Sequence, residues 1–125
     1  MQWNHVGLNI GHREEIENFY REILGFKLLR TFPITGELSR QIFQIDEGTQ
    51  ATLMNRGDVT VELFLCTENR PGGYAHLCID VENREEIVRK CLLKGYPVFR
   101  KKRDKGDLIF IRDLSGNIFE LKEKN

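Results

Sequence analysis

The sequence predicts an α+β protein made of two β-α-β-β-β modules in tandem. Three observations carry that expectation. The first is an internal repeat at an offset of 71: His5 maps to His76, Leu8 to Ile79, Asn9 to Asp80 and Ile10 to Val81, and Arg13-Glu14-Glu15-Ile16 maps to Arg84-Glu85-Glu86-Ile87. A repeat divides a chain before finer features are read. The second is that each half passes from a strand-like alternation to a helical apolar stripe and then to further strands. The third is that both helical stripes stop at a glycine, Gly25 and Gly95, and the segments 26–30 and 96–100 that follow correspond at an offset of 70.

In the first half, residues 3–10 alternate, with Val6, Leu8 and Ile10 on one face and His5, Gly7 and Asn9 on the other. Residues 13–24 form a helix whose stripe is Ile16, Phe19, Tyr20, Ile23 and Leu24. Glu14 and Glu15 in its first turn suit the helix dipole, and Gly25 suits the residue after its end. A strand over 26–32 follows. Residues 33–48 show no clear pattern except at 38–45, where Leu38, Ile42 and Ile45 share one side of a short helix. Strands 50–55 and 59–66 make a hairpin around Arg56-Gly57-Asp58; Val61, Leu63 and Leu65 lie on one face of the second, Glu62 and Phe64 on the other. Residues 67–73, with Pro71-Gly72-Gly73, read as a linker.

The second half repeats the order. A strand over 75–81 leads to Asn83, which caps a helix with Glu86 completing a capping box. Ile87, Val88, Cys91 and Leu92 face inward, and strands 96–100, 107–112 and 118–122 follow, the last two joined by a turn at 113–117. The whole is expected to be a single domain, 1–125, with modules at about 3–66 and 74–123.

The composition, 40% hydrophobic and 30% charged, is that of a globular chain. Nineteen basic residues balance nineteen acidic ones, so no net field favours nucleic acid or an anionic membrane. No apolar run approaches the roughly 20 residues of a membrane span, and the N-terminus has no signal-peptide pattern. A cytoplasmic protein is expected. Cys66, Cys78 and Cys91 lack metal-binding spacing and sit within apolar patterns, as inert buried thiols do.

Each half opens on a histidine and closes on a glutamate, since Val61-Glu62-Leu63 corresponds to Phe119-Glu120-Leu121. All four lie opposite the apolar stripes. If helices cover the apolar faces, His5, Glu62, His76 and Glu120 project from the other, where a two-fold arrangement of the modules would gather them. Two imidazoles and two carboxylates suit a divalent transition ion such as Zn, Ni, Co, Mn or Fe. A single strand glutamate or histidine is ordinarily a solvated surface residue. Two His–Glu pairs at equivalent places of a repeat are harder to assign to surface chemistry.

The chain resembles the vicinal oxygen chelate superfamily, which includes glyoxalase I and the bleomycin-resistance proteins. The resemblance covers almost the whole chain. It rests on His5-Val6-Gly7-Leu8, on Phe19-Tyr20-Arg21-Glu22-Ile23-Leu24-Gly25-Phe26, on Val61-Glu62-Leu63 and Ala75-His76-Leu77, and on the run from Arg112-Asp113 through Gly116-Asn117 to Glu120-Leu121. It implies sheets that curl around a concave metal site, a small-molecule substrate and, in many members, a homodimer with the site at the interface. Glutamate at both 62 and 120 looks most like glyoxalase I, which isomerises the hemithioacetal of a 2-oxoaldehyde and a thiol to a 2-hydroxyacyl thioester. By that resemblance Glu120 is the base, with Glu62 the other candidate. A methylmalonyl-CoA epimerase-like or dioxygenase-like enzyme, or a non-enzymatic binding protein, is the alternative: epimerases typically carry Gln at position 62, dioxygenases and fosfomycin-resistance enzymes need only His, His and Glu, and bleomycin-binding members lack the ligands. For an anionic substrate, Arg40 and the run Lys101-Lys102-Arg103 are the candidate cations near the mouth, although that run also reads as a solvated turn.

Overall fold

The structure is a computed structural model that describes residues 1–66, 68 and 73–124. The first half comprises β1 (Val6–Ile10), a π-helical segment (Ile16–Arg21), β2 (Lys27–Ile34), α1 (Gly36–Phe43), β3 (Thr49–Arg56) and β4 (Val59–Leu65). The second comprises β5 (Leu77–Val81), α2 (Arg84–Lys94), β6 (Val98–Lys101), β7 (Leu108–Arg112) and β8 (Ile118–Glu123). The linker expected at 67–73 lies, apart from 68 and 73, outside the described residues.

The strands form two four-stranded sheets in the orders β1-β4-β3-β2 and β5-β8-β7-β6, one plan written twice. In each, the first strand runs parallel to the last and the other pairs are antiparallel. The registers also repeat, with Gly7 opposite Glu62 and Cys78 opposite Glu120. The parallel ladders begin only at Val6↔Val61 and Leu77↔Phe119, so both histidines stand one residue ahead of the strands expected to contain them.

Both sheets turn their apolar faces into one core. Val61 and Leu63 meet Ile109, Ile111, Phe119 and Leu121 there, together with Phe19, Tyr20 and the α2 residues Ile87, Val88 and Cys91. Phe19 bridges the halves, its ring 5.1 Å from Tyr96 and 5.8 Å from Phe119. Truncating such a fully buried ring to alanine costs about 3–5 kcal/mol. None of the described helices is long and apolar enough to cross a membrane.

The helix expected at 13–24 buries the expected stripe but is wound wide: Glu22 N donates to Glu17 O and Leu24 N to Phe19 O, five residues back. An apolar stripe is met by either winding, so the pattern does not choose between them. Glu15 is buried rather than a solvated dipole partner: Tyr96 Oη donates to one carboxylate oxygen (3.3 Å) and Leu114 N to the other (3.2 Å).

Pro33 lies within β2, where an edge strand tolerates a missing N–H. Helix α1 starts two residues earlier than expected because Thr35 Oγ1 accepts the Leu38 N–H (3.1 Å). Its one buried residue is Ser39; Leu38, Ile42, Phe43 and, just beyond the helix, Ile45 all remain substantially exposed, although the Phe43 ring meets Phe64 edge-on. Leu92, expected to face inward, is also exposed, since the buried side of α2 is Ile87, Val88 and Cys91.

The capping box at Asn83 does not form. Asn83 takes a left-handed conformation, φ 57°, without a side-chain cap, and Glu86 pairs instead with Arg89. The Glu123 carboxylate at the end of β8 accepts the Asn83 and Arg84 amides, each at 2.8 Å, and so caps α2 from the neighbouring strand. Of the three cysteines, Cys91 is buried, and burial pushes its thiol pKa up to about 12. Cys66 is half-buried. Cys78, which the sequence places on the face of His76 as a cleft-lining or core residue, is exposed, because it lies on the face of β5 opposite the core.

Candidate metal centre

The four expected ligands fall into two pairs of nearly equal geometry. His5 Nε2 lies 3.6 Å from Glu62 Oε2, and His76 Nε2 lies 3.7 Å from Glu120 Oε1. In each pair the carboxylate is recessed and the imidazole more open, 15% against 40% exposed in the first and 17% against 40% in the second. Both Nδ1 atoms are engaged, that of His5 by Asn4 Oδ1 and that of His76 by Tyr74 O, each at 2.9 Å. A carbonyl oxygen only accepts, so Nδ1 carries a proton and Nε2, facing the glutamate, is the nitrogen left for a metal. Metal-ligating histidines are held in this way.

The separations are too long for hydrogen bonds. Two donors bound to one ion at ~2.1 Å lie roughly 3.0–3.4 Å apart, so each pair needs only a small closure to share an ion. The donor set therefore fits a divalent metal. Among the described residues, however, no group of three or more His, Cys, Asp or Glu converges on one point. Within the chain the four residues stand as two separate His–Glu pairs, candidate half-sites, rather than one quartet. Both histidines line an open cleft of about 550 Å³ between the starts of β1 and β5, with Trp3, Val59, Thr60 and Cys78. Strands β1 and β5 stand at the ends of their sheets, each with one side free of ladder pairing.

Residues paired across a ladder share a face, which identifies the walls of each half-site. Beside Glu62, Leu53 is its partner on β3 and Arg30 is Leu53's partner on β2, with the Arg30 guanidinium 4.8 Å from the centre of the Phe32 ring. Sequence reasoning missed Arg30 because a register shift between Leu28 and Arg30 interrupts the alternation of β2. Arg40, the expected cation, is engaged by Asp46 at 2.7 Å on the surface, and Lys102 and Arg103 lie in the exposed β6–β7 connection. Beside Glu120 the row runs Cys78, Glu120, Phe110, Phe99. The His76 ring meets Phe110 edge-on at 5.9 Å. Partial desolvation, and then the charge of Glu120, push the Cys78 thiol pKa up, which suits a wall residue better than a nucleophile.

The Asp113-Leu114-Ser115-Gly116-Asn117 turn, prominent in the sequence, is a fastening between the halves. Asp113 accepts from Tyr20 Oη and Asn117 Nδ2 at one oxygen and from the Ser115 and Asn117 amides at the other. Gly11 N donates to Ser115 Oγ, and Asn117 Nδ2 reaches Asn9 O beside the first half-site.

Residues 2–121 match the family model of the Glyoxalase/Bleomycin resistance protein/Dioxygenase superfamily. The chain is 25% identical over 96 residues to the mitochondrial methylmalonyl-CoA epimerase of Mus musculus, covering 68% of this chain and 48% of that protein; the chain thus spans about half the length of this curated relative. A glyoxalase family protein from Bacillus cereus superposes with a TM-score of 0.78 at 19% identity, over 98% of this chain and 93% of that one. A mutant of the fosfomycin resistance protein FosX from Listeria monocytogenes, complexed with Mn(II) and 1S,2S-dihydroxypropylphosphonic acid, superposes with a TM-score of 0.74 at 12% identity, over 99% and 92%. At these identities the two superpositions establish the fold, and the family model the kinship: the chain belongs to the Glyoxalase/Bleomycin resistance protein/Dioxygenase superfamily.

Proposed function

We propose that this protein is a metal-dependent, glyoxalase I-like enzyme that converts the hemithioacetal of a 2-oxoaldehyde and a thiol to a 2-hydroxyacyl thioester. The observation that supports this reading is the duplicated His–Glu pair, with a glutamate in both halves. A divalent ion held by His5, Glu62, His76 and Glu120 would supply Lewis-acid polarisation of the substrate oxygens and offset the charge that develops when a C–H bond beside a carbonyl is broken.

The protein's own residues do the rest. Asn4 and Tyr74 O hold the two imidazoles in the tautomer that offers Nε2. Glu120 takes the proton from the carbon that bears sulfur and returns it to the neighbouring carbon, while the hydroxyl proton on the first carbon passes to the neighbouring oxygen, so one C–H and one O–H bond break, one of each forms, and no outside oxidant or reductant is required. Glu62 holds the opposite side. Phe110, on the rung beside Glu120, limits water at the base. A complete ligand set would combine His5 and Glu62 of one protomer with His76 and Glu120 of a second copy, in a cytoplasmic homodimer.

The test is turnover by protein reloaded separately with Ni, Co, Zn, Mn and Fe, using methylglyoxal adducts of glutathione, bacillithiol and cysteine. Glu120→Gln is expected to lower kcat by ~10²–10⁴. Metal-loaded protein inert toward all three adducts would overturn the proposal. The similarity to a methylmalonyl-CoA epimerase favours a second reading, proton transfer beside a CoA thioester. Solvent deuterium entering a CoA ester, with no hemithioacetal turnover, would establish that reading instead.

A further inference from the structure

The two halves differ most in one connection. Residues 102–107 join β6 to β7, whereas 35–48 join β2 to β3 and carry α1. That added helix roofs a cavity of about 190 Å³ on the half-site face of the first sheet. Gly7 and Phe64 floor it, Ser39, Phe43 and Ile45 cover it, and Cys66 closes one end. It adjoins the half-site directly, since Gly7 is the ladder partner of Glu62 and Phe64 follows Glu62 by two residues on the same face.

The cavity is built into the fold. A Cβ on Gly7 would stand 3.3 Å from the Phe64 ring, so any larger residue would press on the ring and require it to shift. A Cβ on Gly48 would come within 2.9 Å of Ile34 O and 3.0 Å of Gly36 N, where the connection returns past the start of α1. Thr35 caps the helix, the Thr49 hydroxyl donates to Leu65 O across the sheet, and the Phe43 ring stands edge-on to Phe64 at 5.3 Å. The roof is thereby tied down at both ends.

We propose that this cavity is a specificity pocket for one uncharged apolar substituent of the substrate, the size of a benzene ring or a branched alkyl chain, whose reacting carbons lie at His5 and Glu62. The inference rests on the proposed function for its second half only. A dry cavity of ~150 Å³ lined by aliphatic and aromatic side chains already holds benzene. Among the described residues that line this one, none is cationic and Glu47 is the one carboxylate. Asn9, Ser39 and Thr49 are its other polar side chains, so an anionic substituent would be desolvated there without a cationic partner.

The first experiment needs neither metal nor turnover: NMR titration of metal-free protein with benzyl alcohol and with benzoate. Saturable shifts at Phe43, Ile45 and Phe64 are expected with benzyl alcohol, in the millimolar range, and binding of benzoate at least ~10-fold weaker. Cys66→Phe fills the cavity and should abolish the shifts, with circular dichroism and melting temperature as the folding control. Should that variant not fold, Phe43→Ala, which opens the roof, should weaken them. Shifts absent from these residues, or benzoate binding as tightly as the alcohol, overturn the proposal.

A second experiment compares metal-loaded wild type and Cys66→Phe on phenylglyoxal and methylglyoxal hemithioacetals. The variant should lose roughly 10-fold or more in kcat/KM for the phenyl adduct relative to the methyl one. An unchanged ratio in an active enzyme overturns the pocket and spares the glyoxalase reading. Cavity binding without turnover of any adduct does the reverse.

Discussion

Glu15, 1% exposed, is a carboxylate held in a core. Desolvation raises its pKa above 4.5 and the charge of Asp113 adds to the rise, while the hydrogen bonds from Leu114 and Tyr96 oppose it. The folded state therefore holds this proton more tightly than the unfolded chain. Between the unfolded pKa and the raised folded one, stability falls as pH increases, and the full cost persists above that window. Glu15→Gln keeps both contacts, because its Oε1 accepts from Leu114 N and its Nε2 donates to the Tyr96 oxygen, and it carries no charge. The difference in melting temperature between Glu15→Gln and wild type should therefore move in the variant's favour from about pH 4 to about pH 7; a difference constant across that range would refute the burial argument. Nothing near Glu15 in the sequence marks it as buried, for its partners Tyr96 and Leu114 lie 81 and 99 residues away. His5 and Glu62 are no closer in kind, yet they were legible because the repeat states the same pair twice.

At the scale of elements, α2 tests which carboxylate closes its first turn. Glu123→Ala leaves the Asn83 and Arg84 amides without their acceptor and should cost about 1 kcal/mol, within the usual ~0.5–2 for a lost helix cap. Amide exchange in the first turn of α2 should rise with it. Glu86→Ala removes only an exposed pair with Arg89 and should leave the midpoint of a urea titration essentially unchanged. The opposite ranking would restore the capping box suggested by Asn83 and Glu86. The order of elements was readable because apolar periodicity is local. The cap was not, since Glu123 comes from another element, 40 residues on from Asn83. The inner side of α1 was misread because packing, not apolar spacing, decides which face a short helix turns to its sheet: Ser39 is the buried position and the half-exposed Phe43 ring meets Phe64, while Leu38 and Ile42 stay exposed.

At the scale of the molecule, both sheets bury their apolar faces in one core, so the faces bearing His5–Glu62 and His76–Glu120 look away from it and the half-sites stay separate. What remains open is informative. The free sides of β1 and β5 border the cleft that both histidines line, with Trp3 89% exposed on its rim and Tyr74, whose carbonyl orients His76, 98% exposed. Open strand edges and bare aromatic rings are features that a second copy would cover. If the first half-site of one protomer completes the second half-site of another, two inactive variants should rescue each other. His5→Ala spoils only the first half-site and Glu120→Gln only the second. Mixed in equal amounts, unfolded and refolded together, they should recover about a quarter of wild-type activity, because about half of the dimers are mixed and each mixed dimer holds one intact site of two. Sites confined to single chains would give no recovery, and the same mixture without refolding controls for residual activity of either parent.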